Sequence, residues 1–248
     1  MQDVKEASLT VTVDHQKTPA VPARIIGILG MHRSGTSCLT GSLQNAGLFL
    51  GEHHTWNRHN LRGNRENQNI VDLHDDILEA NGGAWDSPPE HVRWREEDVA
   101  RARELLAEYS EHAMFGFKDP RALLALEGWK SLCPDIEFVG IFRHPNAVAA
   151  SLDKRTPKPW EECVALWYTY NSILYREYQK KPFPIIDFDV EEEVLDANIA
   201  RVVDSLGLSG SDSEEKFYTS ELKNNSSSGR RLPWRVRRLY KKLKKASL

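Results

Sequence analysis

The chain has 248 residues, 40% hydrophobic and 28% charged, enough for one substantial α/β domain with an ordinary globular composition. No apolar stretch approaches the ~20 residues that span a bilayer, and the polar first two dozen residues lack the apolar core and cleavage site of a signal peptide. The net charge of −3 conceals an asymmetry, because residues 230–248 hold nine Lys or Arg and no acid, leaving 24 basic against 36 acidic residues elsewhere.

In chain order, residues 1–22 read as a flexible leader closed by "TPAVPA", residues 23–225 as the main domain, and residues 226–248 as a basic amphipathic tail. "RIIGILG" has the β-branched run of a buried parallel strand. A helix follows from Thr36 to about Ala46, with Leu39 and Leu43 on one face and Gly47 as its stop. "LFLGEHHTWNRHNLRGNRENQN" is too long and too polar for a simple connection, and is predicted to be a functional loop. "NIVDLHDDILEANG" spaces Ile70, Leu73, Ile77 and Leu78 as a helix, with His74 and Asp75 assigned to its surface. "REEDVARARELLAEYSEHA" is a second amphipathic helix. "MFGFKD" reads as a strand with "RALLALEGWKSL" as the helix after it, and "IEFVGIF" reads as a third strand. "PNAVAASLDKR" and "WEECVALWYTYNSILYREYQ" are helical, "PIIDFD" is a fourth strand, and "EEEVLDANIARVVDSLGL" is a helix ended by glycine. Strands alternating with helices predict a doubly wound, mostly parallel sheet. Cys38, Cys133 and Cys163 lie far apart, odd in number and without metal-type spacing, so the expectation is a reduced, cytoplasmic chain.

"GMHRSGTS", residues 30–37, joins the first strand to the first helix. A glycine-bearing turn there gathers unpaired N–H groups at a helix N-terminus, where the dipole favours an anion. Gly30 and Gly35 allow the tight backbone; Ser34, Thr36 and Ser37 add hydroxyls, and Arg33 adds a full charge. A nucleotide kinase carries a lysine where this chain has Thr36, so the loop is poorly equipped for a triphosphate with magnesium. It suits one phosphate and a further anionic group, with no metal.

"HRSGTS" resembles the 5′-phosphosulfate loop of sulfotransferases that use 3′-phosphoadenosine 5′-phosphosulfate (PAPS), in which Lys or Arg stands at the position of Arg33 before Ser-Gly-Thr. "VGIFRHPNAVAASL" strengthens the resemblance: Arg143 stands at a strand end and Ser151 eight residues on, the spacing with which that family reads the cofactor's 3′-phosphate. "FGFKDPR" resembles a strand that this group ends with Lys-Asp-Pro, which puts Lys118 near the transferred group. The similarity covers roughly residues 24–224 and is closest to bacterial-type members with "GMHRSGTS" loops. It implies a single P-loop-NTPase-like three-layer α/β domain, PAPS as sulfonate donor and PAP as product, and cofactor contacts from Arg33, Ser34, Gly35, Thr36, Ser37, Arg143 and Ser151. The family's C-terminal phosphate-gripping segment has no secure counterpart; Lys223, Ser228, Gly229, Arg230 and Arg231 are candidates.

Transfer to a hydroxyl requires a base, and the polar loop offers Glu52, His53, His54, His59 and Glu66. Glu66 is favoured, because "GNRENQN" resembles a family segment with Glu three residues after Gly and just before a helix; as an alternative it is a helix-start charge. His32, inside the phosphate loop, is the second candidate. The catalytic set is therefore Arg33, Lys118, Glu66 and His32. The loop's mixture of Trp56 with His and Arg suits a polyhydroxylated or anionic acceptor such as a carbohydrate, though a solvated loop fits equally; membrane contact by the tail would favour a glycolipid. In the tail, Leu232, Val236, Leu239 and Leu243 form one stripe of a basic amphipathic helix that would lie on an anionic membrane, dock on the acidic body, or do neither. Nucleic acid is not expected, because the body is acidic. The competing readings are a P-loop kinase, opposed by Thr36 and the Arg143–Ser151 pair, and a non-catalytic nucleotide-binding protein.

Overall fold

The computed structural model describes residues 20–55, 63–154, 157–209 and 229–248. Four parallel strands form its sheet: β1 (Arg24–Leu29), β2 (Met114–Lys118), β3 (Glu137–Phe142) and β4 (Ile185–Asp187), in the order β2-β1-β3-β4. Around it lie α1 (Thr36–Asn45), α2 (Gln68–Ala80), α3 (Glu96–Ala107), α4 (Leu126–Leu132), α5 (Pro145–Asp153), α6 (Trp160–Lys180), α7 (Glu192–Leu206) and α8 (Trp234–Ala246).

The continuous apolar runs of the strands follow from burial on both faces. Ile26, Ile28, Val139, Ile141 and Ile186 face one way, into a core with Leu39 and Leu43 of α1 and Leu195, Ile199 and Val202 of α7. Ile25, Leu29, Phe115, Phe117 and Phe142 belong to a second core, with residues of α2, α3, α4, α5, α6 and α8. The parallel register (Ile28 beside Lys118, Leu29 beside Gly140, Phe142 beside Asp187) brings all four carboxyl ends to one edge. That edge is where open α/β sheets bind ligands.

Two expectations need correction. "RALLALEGWKSL" does not form one helix: Pro120–Leu123 is a short 3-10 turn capped by Asp119, and α4 starts only at Leu126. Trp94 explains the break. Its Nε1 donates to the Ala125 carbonyl at 3.1 Å, and its ring lies so close to Gly128 that any side chain there would collide with it. His74 is not on a helix surface; its neighbour Asp75 is exposed, whereas His74 is fully buried beneath Trp129. Of the three readings left open for the tail, the structure shows docking on the body: Val236, Leu239 and Leu243 of its apolar stripe are buried in the main core, with Leu243 0% exposed, and so do not face a membrane. Lys244 pairs with Asp187 at 2.9 Å, and the Leu248 N–H donates to the Ile185 carbonyl at 3.0 Å.

Candidate active site

The loop after β1 enters α1 through two left-handed residues, Arg33 (φ 66°) and Gly35 (φ 89°). Such alternation turns successive N–H groups into one concavity. Gly30 is required by close approach: a Cβ there would lie 2.6 Å from the Ile141 carbonyl oxygen. Gly35 is required twice, by its φ and by the Phe188 ring, 2.4 Å from where a Cβ would stand. Among the described residues no side chain caps α1 and the buried Ser34 Oγ has no hydrogen-bond partner, an arrangement that suits an anion.

Arg33 reaches across to α5, where its Nε donates to Ser151 Oγ at 2.8 Å. Two residues 118 positions apart, each singled out from its own motif, therefore touch. Arg143 leaves the end of β3 and is almost wholly buried, its side chain 7% exposed. Its Nε donates to Asp189 Oδ1 at 3.2 Å and its guanidinium lies 5.3 Å from the centre of the Phe188 ring. Asp189 also accepts from the His144 N–H. Among the described residues, no hydrogen bond engages the two terminal nitrogens of this guanidinium, which is held by its Nε and by one face. Phe188 thus abuts both the phosphate loop, at Gly35, and Arg143.

At the end of β2, Lys118 is buried, its side chain 1% exposed, and donates to Glu66 Oε1 at 2.7 Å. Glu66 does not cap α2. Asn67 does so, its side chain accepting from the N–H groups of Asn69 and Ile70. Freed from that task, Glu66 turns back to Lys118, and Asn64 donates to its second oxygen. Ser37 Oγ, on α1, donates to the Asn64 carbonyl at 3.3 Å, tying this segment to the phosphate loop.

Behind Lys118 lies a buried polar chain. Trp129 Nε1 donates to His74 Nε2 at 2.7 Å, so the imidazole carries its proton on Nδ1 and donates it to Asp119 Oδ2, also at 2.7 Å. Arg121 pairs with the other Asp119 oxygen at 2.9 Å. Burial pushes the Asp119 carboxyl up, but the His74 hydrogen bond and the Arg121 cation outweigh it and hold the group well below the usual carboxylate range. His32 packs its ring 4.6 Å from Trp85 and 6.0 Å from Tyr170, whose hydroxyl donates to the Trp85 carbonyl at 2.7 Å. Burial raises the Tyr170 phenol well above its ordinary value, so it stays protonated.

Of the loop candidates among the described residues, only Glu66 makes a hydrogen bond to Lys118. His53 is engaged by the Gly51 carbonyl (2.8 Å) and by Gln44 (3.1 Å), Glu52 is exposed, and the His54 backbone pairs with Glu66 and Arg65. His59 lies outside the described residues, as do Lys223 and Ser228. Of the C-terminal candidates, Arg230 contacts the start of α5: its carbonyl accepts from Asn146 at 2.9 Å and its guanidinium lies 5.6 Å from the centre of the Trp160 ring. Arg231 is exposed. Phe188, Asp189, Trp85 and Tyr170 escaped sequence reasoning. The one available signal was the position of Phe188 and Asp189 immediately after a strand end, the place from which Arg143 was recognised.

The sequence model of the sulfotransferase family matches residues 26–212. No curated protein matches the chain at the sequence level. Among solved structures, the sulfotransferase domain of the olefin synthase from Synechococcus PCC 7002 is 15% identical, with a TM-score of 0.56 over 91% of this chain and 96% of that one. The sulfotransferase STF1 from Mycobacterium tuberculosis H37Rv is 16% identical, with a TM-score of 0.46 over 91% of this chain and 77% of that one. The family match spans β1 to α7 and takes in both the phosphate loop and the Arg143–Ser151 segment: the chain belongs to the sulfotransferase family.

Proposed function

We propose that the protein transfers the sulfonate group of PAPS to a hydroxyl of a carbohydrate or glycolipid, by in-line displacement and without a metal. The observation that carries this reading is the Arg33–Ser151 hydrogen bond, which joins the phosphate loop to the helix begun beside Arg143 and makes one anion-binding edge of two motifs. The donor supplies a sulfonate already activated by its phosphate leaving group. The loop N–H groups, Ser34, Thr36, Ser37 and Arg33 hold its 5′ end, and the geometry of Ser34 and Gly35 fits that task. Arg143 and Ser151 take the 3′-phosphate, with Arg230 as the C-terminal contributor.

Glu66 accepts the proton of the attacking hydroxyl as the acceptor oxygen bonds to sulfur and the bond from sulfur to the 5′-phosphate oxygen breaks. Lys118, already paired with Glu66, meets the charge on the transferring group, and Arg33 meets the charge left on the phosphate. His32 shapes the loop through its packing on Trp85. The acceptor class is supported by the polar, histidine-bearing segment before Glu66 and by the aromatic pair Trp85 and Tyr170 near the loop. Cys38, Cys133 and Cys163 are buried and unbridged, which suits a reducing cytoplasm.

A thermal-shift titration with PAP, ADP and ATP, each with and without magnesium, tests the reading. PAP at a hundred times its dissociation constant adds about 2.7 kcal/mol of stability irrespective of magnesium. Arg143→Ala abolishes the shift. Stabilisation only by ATP with magnesium would make the protein a kinase.

A further inference from the structure

With its apolar stripe buried, α8 turns a different face outward. Trp234, Arg237, Arg238, Lys241 and Lys245 stand opposite Val236, Leu239 and Leu243 on the helix and are all exposed. They form a ridge about 16 Å long. Trp234 is 60% exposed, and Arg238 lies 5.3 Å from the centre of its ring. Among the described residues no carboxylate pairs with Arg237, Arg238, Lys241 or Lys245, in a protein where acids outnumber bases. On the flanks, Arg235 and Lys242 lean on Tyr168 and Tyr175 of α6, at 6.0 and 5.3 Å, which keeps their charge beside the ridge.

We propose that this outward face of α8 is a docking surface for an anionic lipid membrane. The chemistry is a polybasic ridge attracted to acidic headgroups, with one aromatic side chain placed to enter the interface. Shape and charge favour a membrane over a nucleic acid or a sulfated polysaccharide. The ridge runs along one exposed helix face, a form that a flat surface can meet along its length. A long polyanion following it would leave the helix and run onto an acidic body. The net acidity of the rest of the chain, 24 basic against 36 acidic residues, favours the orientation that turns this ridge to the membrane. Near its N-terminal end the ridge approaches the nucleotide edge, because Arg230, four residues before Trp234, is bonded to Asn146 at the start of α5. Docking therefore brings the catalytic edge towards the headgroup layer, where a lipid-linked glycan presents its hydroxyls. The attraction itself stands independently of sulfonate transfer.

The test is co-sedimentation of the full chain with phosphatidylcholine vesicles, with and without about one third phosphatidylglycerol. The protein pellets with the anionic vesicles only, and raising the salt releases it, because cations at the surface are screened beyond a Debye length of about 8 Å. The triple variant Arg237→Gln, Lys241→Gln, Lys245→Gln loses roughly a hundredfold in partitioning. It keeps the wild-type melting temperature and the shift produced by PAP, since none of the three touches the core or the nucleotide site. Trp234→Ala weakens binding at every salt concentration. Equal sedimentation of wild type and triple variant overturns the proposal, as does a failure to pellet with anionic vesicles at low salt. So does tighter binding to heparin or duplex DNA than to the vesicles.

Discussion

Glu66 and Lys118 form one ion pair at the sheet edge, and the roles proposed for them follow from what each can exchange. Lysine at neutral pH only donates, so the carboxylate is the member able to accept a proton from an attacking hydroxyl. Glu66→Gln keeps the shape and the hydrogen bond while removing that capacity. The expected outcome is a fall in transfer rate of about 10²–10⁴-fold, with the PAP-induced thermal shift unchanged. A variant that transfers at the wild-type rate would remove Glu66 from the mechanism. Arg33, Arg143, Ser151 and Lys118 were legible in the sequence because each belongs to a short motif whose spacing is tied to a strand end. Asp189 and Phe188 were not, since nothing in "PIIDFD" says that its last residues fold against Gly35 and Arg143. His74 misled for a related reason: a polar residue on an apolar helix reads as surface until a partner such as Trp129 arrives from elsewhere in the chain.

Among the elements, α8 gains most from tertiary context. Its amphipathic pattern is plain in the sequence, but pattern alone does not say whether the apolar stripe meets a lipid, a partner or its own domain. The structure puts Leu243, 0% exposed, in the same core as Leu174 of α6 and Ile185 of β4. Leu243→Ala leaves a cavity there and lowers stability by about 2–5 kcal/mol in urea denaturation. A loss within a few tenths of a kcal/mol would mean the helix is only loosely attached. The break between Pro120–Leu123 and α4 teaches the same lesson on a smaller scale. "RALLALEGWKSL" has helical propensity throughout, and the interruption comes from Trp94, some thirty residues earlier, wedged against Ala125 and Gly128.

At the scale of the whole molecule, the Asp119–His74–Trp129 chain ties β2 to α2 and α4, so its ionisation bears on global stability. The Asp119 carboxyl sits well below its ordinary value in the fold, so its stabilising contribution is complete above the unfolded range near pH 4 and is lost as pH falls through the folded value. Asp119→Asn breaks the buried pair and costs about 3–5 kcal/mol at pH 7. The difference between variant and wild type, followed by urea denaturation at stepped pH, narrows in acid below about pH 4. A gap independent of pH would place the effect in packing.

What the sequence determined by itself was written in local order: four apolar strands, most of the helices between them, the glycine loop with its displaced cation, and the Arg-to-Ser spacing proposed as a second anion site. Each depends on residues within a few turns or strand lengths of one another. Tertiary structure decided the rest, because those features are contacts between distant segments. The fold bonds Arg33 to Ser151, turns Glu66 towards Lys118, fixes Arg143 between Phe188 and Asp189, and buries one face of α8 so that Trp234 and the helix's cations look outward.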